Sequence, residues 1–149
     1  MPIKCLTSVV YRETGWDWHL EKTVNPTWEQ IIAALDRLDK FCYPWISLFI
    51  GDENEDMMVD CLTILGGDGA YWLGLSAGKY YQLRLFDPTK GSHEVKLWTS
   101  DQGFADQEMY VTYDRDLVLR IARYFGETGE PLPEAIWESS KDALLDDVN

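Results

Sequence analysis

The stretch Met58-Val59-Asp60-Cys61-Leu62-Thr63-Ile64-Leu65-Gly66-Gly67-Asp68-Gly69-Ala70-Tyr71-Trp72-Leu73-Gly74-Leu75 decides the fold class. Two apolar runs of strand length flank a Gly-Gly-Asp-Gly turn signal, so Met58 to Leu65 and Ala70 to Leu75 read as the arms of a hairpin. Upstream, Trp45 to Ile50 is a further short apolar strand, ended by Gly51 and the acidic run Asp52-Glu53-Asn54-Glu55-Asp56. Downstream, Ser76-Ala77-Gly78 turns the chain into Lys79 to Phe86, and Asp87-Pro88-Thr89-Lys90-Gly91 makes the next turn. Glu94 to Thr99 and Met109 to Thr112 read as strands around a loop containing Gly103. Strands so close in sequence favour an antiparallel meander.

Before Pro44 and after Thr112 the apolar period is helical. Thr27-Trp28-Glu29-Gln30 carries the residues of a capping box, and Trp28, Ile31, Ile32, Leu35 and Leu38 recur at helix spacing up to about Lys40. Asp114 is placed to cap a second helix with Leu117, Ile121, Tyr124 and Phe125 as its apolar stripe, and Gly126 suits its end. Ile3 to Tyr11 alternates as a strand, followed by a turn, Thr14-Gly15-Trp16-Asp17-Trp18, that carries two aromatics. Leu132 to Trp137 reads as a short turn or helix docking one aromatic. No repeat or linker interrupts the chain. The expected architecture is α+β, a single domain over residues 1–149 with a core at about 3–138 and an acidic tail at 139–149 expected to fray. Its antiparallel-rich sheet is expected to hold about six strands, with two main helices on one face.

A chain of 149 residues buries roughly 68–70% of the surface it exposes unfolded, enough to fold without metal or disulfide. Its cysteines, Cys5, Cys42 and Cys61, are odd in number and widely spaced, which speaks against a disulfide framework and against zinc. Cys5 and Cys61 fall in strand-like runs, where a thiol behaves as a small buried hydrophobe. The first residues lack the charged and apolar regions of a signal peptide. No segment approaches the ~18 apolar residues of a membrane helix. The expected location is the cytoplasm. Asp plus Glu total 26 against 13 Lys plus Arg, a formal net charge of −13. That field repels phosphate backbones and anionic lipid and draws basic surfaces, so the expected ligand is neither nucleic acid nor membrane but a basic protein such as one that binds nucleic acid. Acidity for solubility alone is the plainer account of the same number.

Catalytic constellations are missing. His19 and His93 sit beside turns without metal-ligand spacing, and neither a nucleophile elbow nor a Walker-type loop occurs. Gly66-Gly67-Asp68-Gly69 lies between strand-like runs, unlike a phosphate cradle, which leads into a helix. The 52–56 run lacks the ligand spacing of a calcium loop. The expectation is a protein that binds, with no catalytic residue, metal or cofactor.

The ordered landmarks are Pro26-Thr27-Trp28-Glu29-Gln30-Ile31-Ile32 with Leu35-Asp36; the hairpin through Gly66-Gly67-Asp68-Gly69-Ala70-Tyr71; Asp87-Pro88; Asp101-Gln102-Gly103; and Ala122-Arg123-Tyr124-Phe125-Gly126-Glu127-Thr128-Gly129 before Leu132-Pro133 and Trp137. Together, over roughly residues 24–138, they resemble the immunity-protein-one family of bacterial polymorphic toxin systems. The resemblance implies a cytoplasmic antitoxin that neutralises a cognate toxin domain in a one-to-one complex, the toxin often acting on nucleic acid through a basic groove. The Trp16-Asp17-Trp18 turn and the acidic tail depart from the family pattern.

On that reading the 52–56 loop (Asp52, Glu53, Glu55 and Asp56) contacts the toxin, with Asp68, Trp72, Trp16 and Trp18 as further contacts. A different class of function is an adaptor or small-ligand-binding domain in which Trp72, Tyr80, Tyr81 and Trp98 line a pocket. A hydrolase using scattered carboxylates ranks last.

Overall fold

The computed structural model describes residues 3–51, 60–77 and 80–139. The hairpin through Asp68-Gly69 is its centre. Strands β4 (Cys61–Gly67) and β5 (Ala70–Ala77) pair antiparallel, joined by Asp68-Gly69. Asp68 and Gly69 both have positive φ, 52° and 85°. That is the two-residue turn whose twist matches paired strands, and Asp-Gly is among its preferred sequences. On either side the sheet grows to seven strands, in the order β2-β1-β3-β4-β5-β6-β9, every pairing antiparallel. The added members are β1 (Cys5–Tyr11), β2 (Trp18–Val24), β3 (Trp45–Phe49), β6 (Tyr80–Leu85) and β9 (Trp137–Ser139). A second sheet consists of β7 (Glu94–Trp98) and β8 (Phe104–Gln107).

Two helices, α1 (Trp28–Arg37) and α2 (Arg115–Thr128), cover one face of the large sheet. Thr27 caps α1 with the reciprocal capping box, its hydroxyl accepting from Gln30 N–H while Gln30 Oε1 accepts from Thr27 N–H. Asp114 caps α2 by accepting from Leu117 N–H. The α2 terminus is Gly129, left-handed at φ 73°, three residues beyond the Gly126 expected to end it. Gly126 lies inside the helix, and a Cβ there would press on Ile3. Between helices and sheet lie Leu62, Ile64, Leu73, Leu75, Ile31, Leu35, Ile121 and Phe125, all at most 2% exposed. Arg115 of α2 grips Asp36 of α1 through two hydrogen bonds, 2.7 and 2.9 Å.

The fold is α+β as expected, with nine strands among the described residues in place of about six. The sequence reading took Trp16-Asp17-Trp18 as a turn and so missed β2, in which Trp18, Leu20 and Val24 alternate with polar residues although both sets are largely exposed. It placed a strand at Met109–Thr112; residues Glu108–Tyr110 instead form a 3-10 turn, and Thr112 makes a single bridge to Tyr71. The strand there is β8, whose polar Asp106-Gln107 end hid it. The α1 helix ends at Arg37, short of Lys40, because the chain must turn at once to meet β4. Trp137 begins a short edge strand, so Ser139, assigned to the tail, belongs to the sheet. The remaining tail residues, 140–149, lie outside the described residues.

One close approach positions everything near the hairpin. Lys40 N–H donates to the Gly66 carbonyl at 3.0 Å, and Asp39 bridges Gly67. Gly67 has φ 129°, and a Cβ there would overlap the Leu38 carbonyl. Only glycine admits both the dihedral and the contact. Gly67→Ala is expected to cost about 3 kcal/mol or more, lowering the melting temperature by roughly 6 °C or more; a circular-dichroism melt checks this.

Candidate functional site

Strand alternation assigns each residue of the large sheet to a face. Leu62, Ile64, Leu73 and Leu75 point to the helices, so Cys61, Thr63, Leu65, Trp72, Gly74 and Ser76 point away from them. Register then lines up a row across the helix-free face: Lys22, Thr7, Ser47, Thr63, Gly74, Arg84 and Glu138. At its middle this row is made of small residues. The neighbouring row is large and apolar: Leu20, Val9, Trp45, Leu65 and Trp72.

The β7–β8 sheet sits on this face at one end. Its fully buried Leu97 packs with Leu65, Ala70 and Val111, and around them gather Trp45, Trp72, Val95 and Phe104. The connection is pinned by Thr99 N–H to the Lys40 carbonyl, Ser100 Oγ to the Phe41 carbonyl and Asp101 N–H to the Gly15 carbonyl. Between the small-residue floor and this hairpin runs an open groove of about 720 Å³. Trp45, Trp98, Trp72 and Phe104 form its walls, with Cys61, Thr63 and Gly74 below.

The aromatics are locked by ring contacts and hydrogen bonds. Trp98 meets Tyr11 and Trp45 at 5.8 Å between centroids, and Trp72 meets Phe104 edge-on at 5.6 Å. The Trp45 indole N–H donates to Ser47 Oγ and that of Trp98 to Ser100 Oγ. Tyr11 donates to Asp101, and burial followed by that carboxylate pushes its phenol up to about 12. Trp72 folds over Gly74, where a Cβ would strike the ring, and its indole N–H donates to Asp106 Oδ2 at 3.0 Å.

Asp106 also accepts from Arg84 at 3.1 Å, and Arg84 donates to Glu138 at 2.9 Å. The Arg84 guanidinium lies 3.5 Å from the centre of the Tyr110 ring, whose hydroxyl donates to the same Glu138. Burial, then the hydrogen bond to Glu138, raises the Tyr110 phenol above its ordinary range. Arg84 Nε is buried with no hydrogen-bond partner. One guanidinium thus serves two carboxylates at this end of the groove, with aromatic rings around it. Burial also raises the Cys61 thiol above the ordinary cysteine value, which makes it a sluggish nucleophile.

Of the residues expected to bind, the structure brings Trp72 into the groove. Trp18 pairs with Tyr11 on the same face and stands 57% exposed, so it extends the aromatic surface towards the sheet edge. Trp16 is exposed in the preceding turn. Asp68 is exposed at the tip of the hairpin, where the turn accounts for it. Asp52, Glu53, Glu55 and Asp56 lie outside the described residues. From the alternative reading, Trp98 is a groove wall. Cys61, expected as a buried hydrophobe, is half-buried on the floor. Sequence reasoning missed Trp45, Phe104, Arg84 and Asp106. Trp45 was assigned to a strand, but its face is known only once β3 is paired with β4. Among the described residues no three His, Cys, Asp or Glu side chains gather as a metal site, and no helix is long and apolar enough to cross a membrane.

A hypothetical protein from Neisseria gonorrhoeae has a similar fold, with a TM-score of 0.53 over 87% of this chain and 90% of that one, at 12% sequence identity. No family model and no curated protein matches the chain. The likeness extends through nearly the whole of both chains and is one of fold alone.

Asp106 holds both sides of the groove. Asp106→Ala leaves Trp72 Nε1 and one arm of Arg84 without their partner, and is expected to cost about 1–3 kcal/mol. Chemical denaturation followed by tryptophan emission reads both the stability and the changed Trp72 environment.

Proposed function

We propose that this chain acts by binding, as an immunity-type protein that neutralises a basic toxin domain in a one-to-one complex in the bacterial cytoplasm. The observation that carries this reading is the aromatic groove on the helix-free face of a chain with net charge −13. Rigid tryptophans in a pocket are the residues that dominate affinity at protein interfaces. Excess carboxylate steers a basic partner towards the surface and contributes to encounter rate more than to final affinity. Four arginines are already paired with carboxylates of this chain, through Arg37–Glu21, Arg84–Asp106 and Glu138, Arg115–Asp36 and Arg120–Glu134. Negative charge is thus what remains to face a partner. The resemblance of the sequence landmarks to the immunity-protein-one family supports the same reading.

The partner is the product of the neighbouring toxin gene, and co-expression is expected to give a stable complex and rescue growth. Absence of any toxin-like neighbour would overturn the proposal. Trp98→Ala and Phe104→Ala are each expected to weaken that complex by about 2 kcal/mol, close to thirtyfold, whereas Glu29→Ala and Glu127→Ala on the exposed helix faces leave it unchanged. Charge reversal at Asp52, Glu53, Glu55 and Asp56 is expected to slow association and flatten its salt dependence with little change in dissociation. Surface plasmon resonance over a salt series separates these effects.

A second reading rests on the groove's size. A volume of about 720 Å³ lies within the range of small-molecule sites, roughly 300–1,000 Å³, and its walls suit a flat apolar ring. A thermal-shift screen tests it: strong stabilisation by ring compounds, abolished in Trp98→Ala and accompanied by no toxin binding, would make this an adaptor or ligand-binding domain.

A further inference from the structure

Cations of this chain already cover several of its aromatic faces. Arg37 stands 4.2 Å from the centre of the Tyr43 ring, Arg84 3.5 Å from Tyr110, Lys90 4.9 Å from Tyr113 and Arg123 4.7 Å from Trp28. None of the described Lys or Arg side chains stands in this way over Trp45, Trp72, Trp98 or Phe104, the rings of the groove. Those rings meet at steep angles, Trp72 with Phe104 at 76° and Trp45 with Trp98 at 66°. Rings so set turn their faces from two directions towards one group seated between them. A ring face carries the negative part of the aromatic quadrupole, so such a corner attracts a cation. The Trp72 face is made more negative by Asp106, whose carboxylate accepts the indole N–H and polarises the ring.

Charge at the end of the groove has the same sign. Arg84 pairs with both Asp106 and Glu138, and no other described cation forms an ion pair with either. One positive charge set between two negative ones leaves a surplus negative charge there, on a chain of net charge −13. A neutral ring ligand makes no use of it. We infer that the groove receives an arginine side chain of the basic partner. The inference rests on the reading of this chain as an immunity-type protein and names the group its groove takes. A guanidinium is flat and weakly hydrated, so it stacks on ring faces at a lower desolvation cost than an ammonium. Leu65 and Leu83 also line the groove and offer apolar contact to the methylene stem. On the floor, Thr63 Oγ1 makes only long contacts among the described residues, 3.5 Å to Ser47 Oγ and 3.9 Å to Cys61 Sγ, and is an acceptor for a guanidinium N–H.

Titration of the isotope-labelled chain with N-acetyl-arginine amide, followed at the indole N–H signals, tests the slot without the toxin. The Trp45, Trp72 and Trp98 signals are expected to shift saturably, with a dissociation constant on the order of 1–10 mM, while Trp28, already covered by Arg123, stays in place. N-acetyl-citrulline amide has nearly the same shape without the charge, and is expected to bind at least about fivefold more weakly. Trp98→Leu and Phe104→Leu keep apolar bulk and lose a ring face. Each is expected to weaken the arginine probe about three- to tenfold, with a thermal melt showing that the variant is folded. Glu138→Gln keeps hydrogen-bond acceptors and removes the surplus charge, and is expected to weaken the probe about threefold. Equal binding of the citrulline probe overturns the inference. So do groove signals that the arginine probe leaves in place, folded leucine variants that both bind it like the wild type, and a Glu138→Gln chain of unchanged affinity. A stable toxin complex beside a groove indifferent to arginine overturns the slot and leaves the immunity reading standing; arginine binding with no toxin complex does the reverse.

Discussion

The contact on which the site depends is Trp72 folded over Gly74 with its indole N–H held by Asp106. Trp72 belongs to β5 of the large sheet and Asp106 to β8 of the small one. The bond therefore fixes the distance between the two sheets and keeps the groove from collapsing or filling. Glycine at position 74 is what lets the ring lie down along the floor. Asp106 is held in turn by Arg84, and Arg84 by Glu138 and the Tyr110 ring. A chain of hydrogen-bonded charges thus supports an aromatic surface, and β9, short as it is, belongs to the support because it supplies Glu138.

The division of labour between the two faces follows. Helices α1 and α2 and the leucine-rich face of the sheet form a closed core from which water is excluded, and this core supplies most of the stability. The opposite face is only partly covered, by the β7–β8 hairpin. Exposed aromatic area is costly to leave facing water, and large apolar patches on soluble proteins mark sites of interaction. Tyr11 links the groove to the sheet edge, since its ring touches Trp98 and its strand position is paired with Trp18. The exposed aromatic surface is therefore broader than the groove, while the helix faces carry the ordinary charged residues of a solvated exterior.

Capping boxes and turn chemistry are local, and they were legible. Thr27 and Gln30 announced α1, Asp114 announced α2, and Asp-Gly announced the β4–β5 turn, each through contacts within a few residues. Strands β8 and β9 were not legible because they are short and their pairing partners, rather than their own periodicity, make them strands, and β2 was passed over because its first residue was read as part of a turn. The site was legible only in part for the same reason. Trp72 and Trp98 stood out as residue types, but the row from Thr7 through Ser47 and Thr63 to Gly74 joins four strands, and only the register brings it together. Arg84 and Asp106 are 22 residues apart in sequence, and nothing local to either predicts their pairing. Net charge is a property of the whole chain and was silent on which face meets a partner.

The central claim, that the aromatic groove is the face that meets a partner, is tested most directly by the indole N–H spectrum of the isotope-labelled chain titrated with the toxin domain proposed as its partner. The seven tryptophans report on different surfaces: Trp45, Trp72 and Trp98 on the groove, Trp28 on α1 and Trp137 on β9. The account predicts large shifts or broadening of the Trp45, Trp72 and Trp98 signals with Trp28 unmoved. Saturating binding that shifts Trp28 and leaves the three groove signals in place would contradict it.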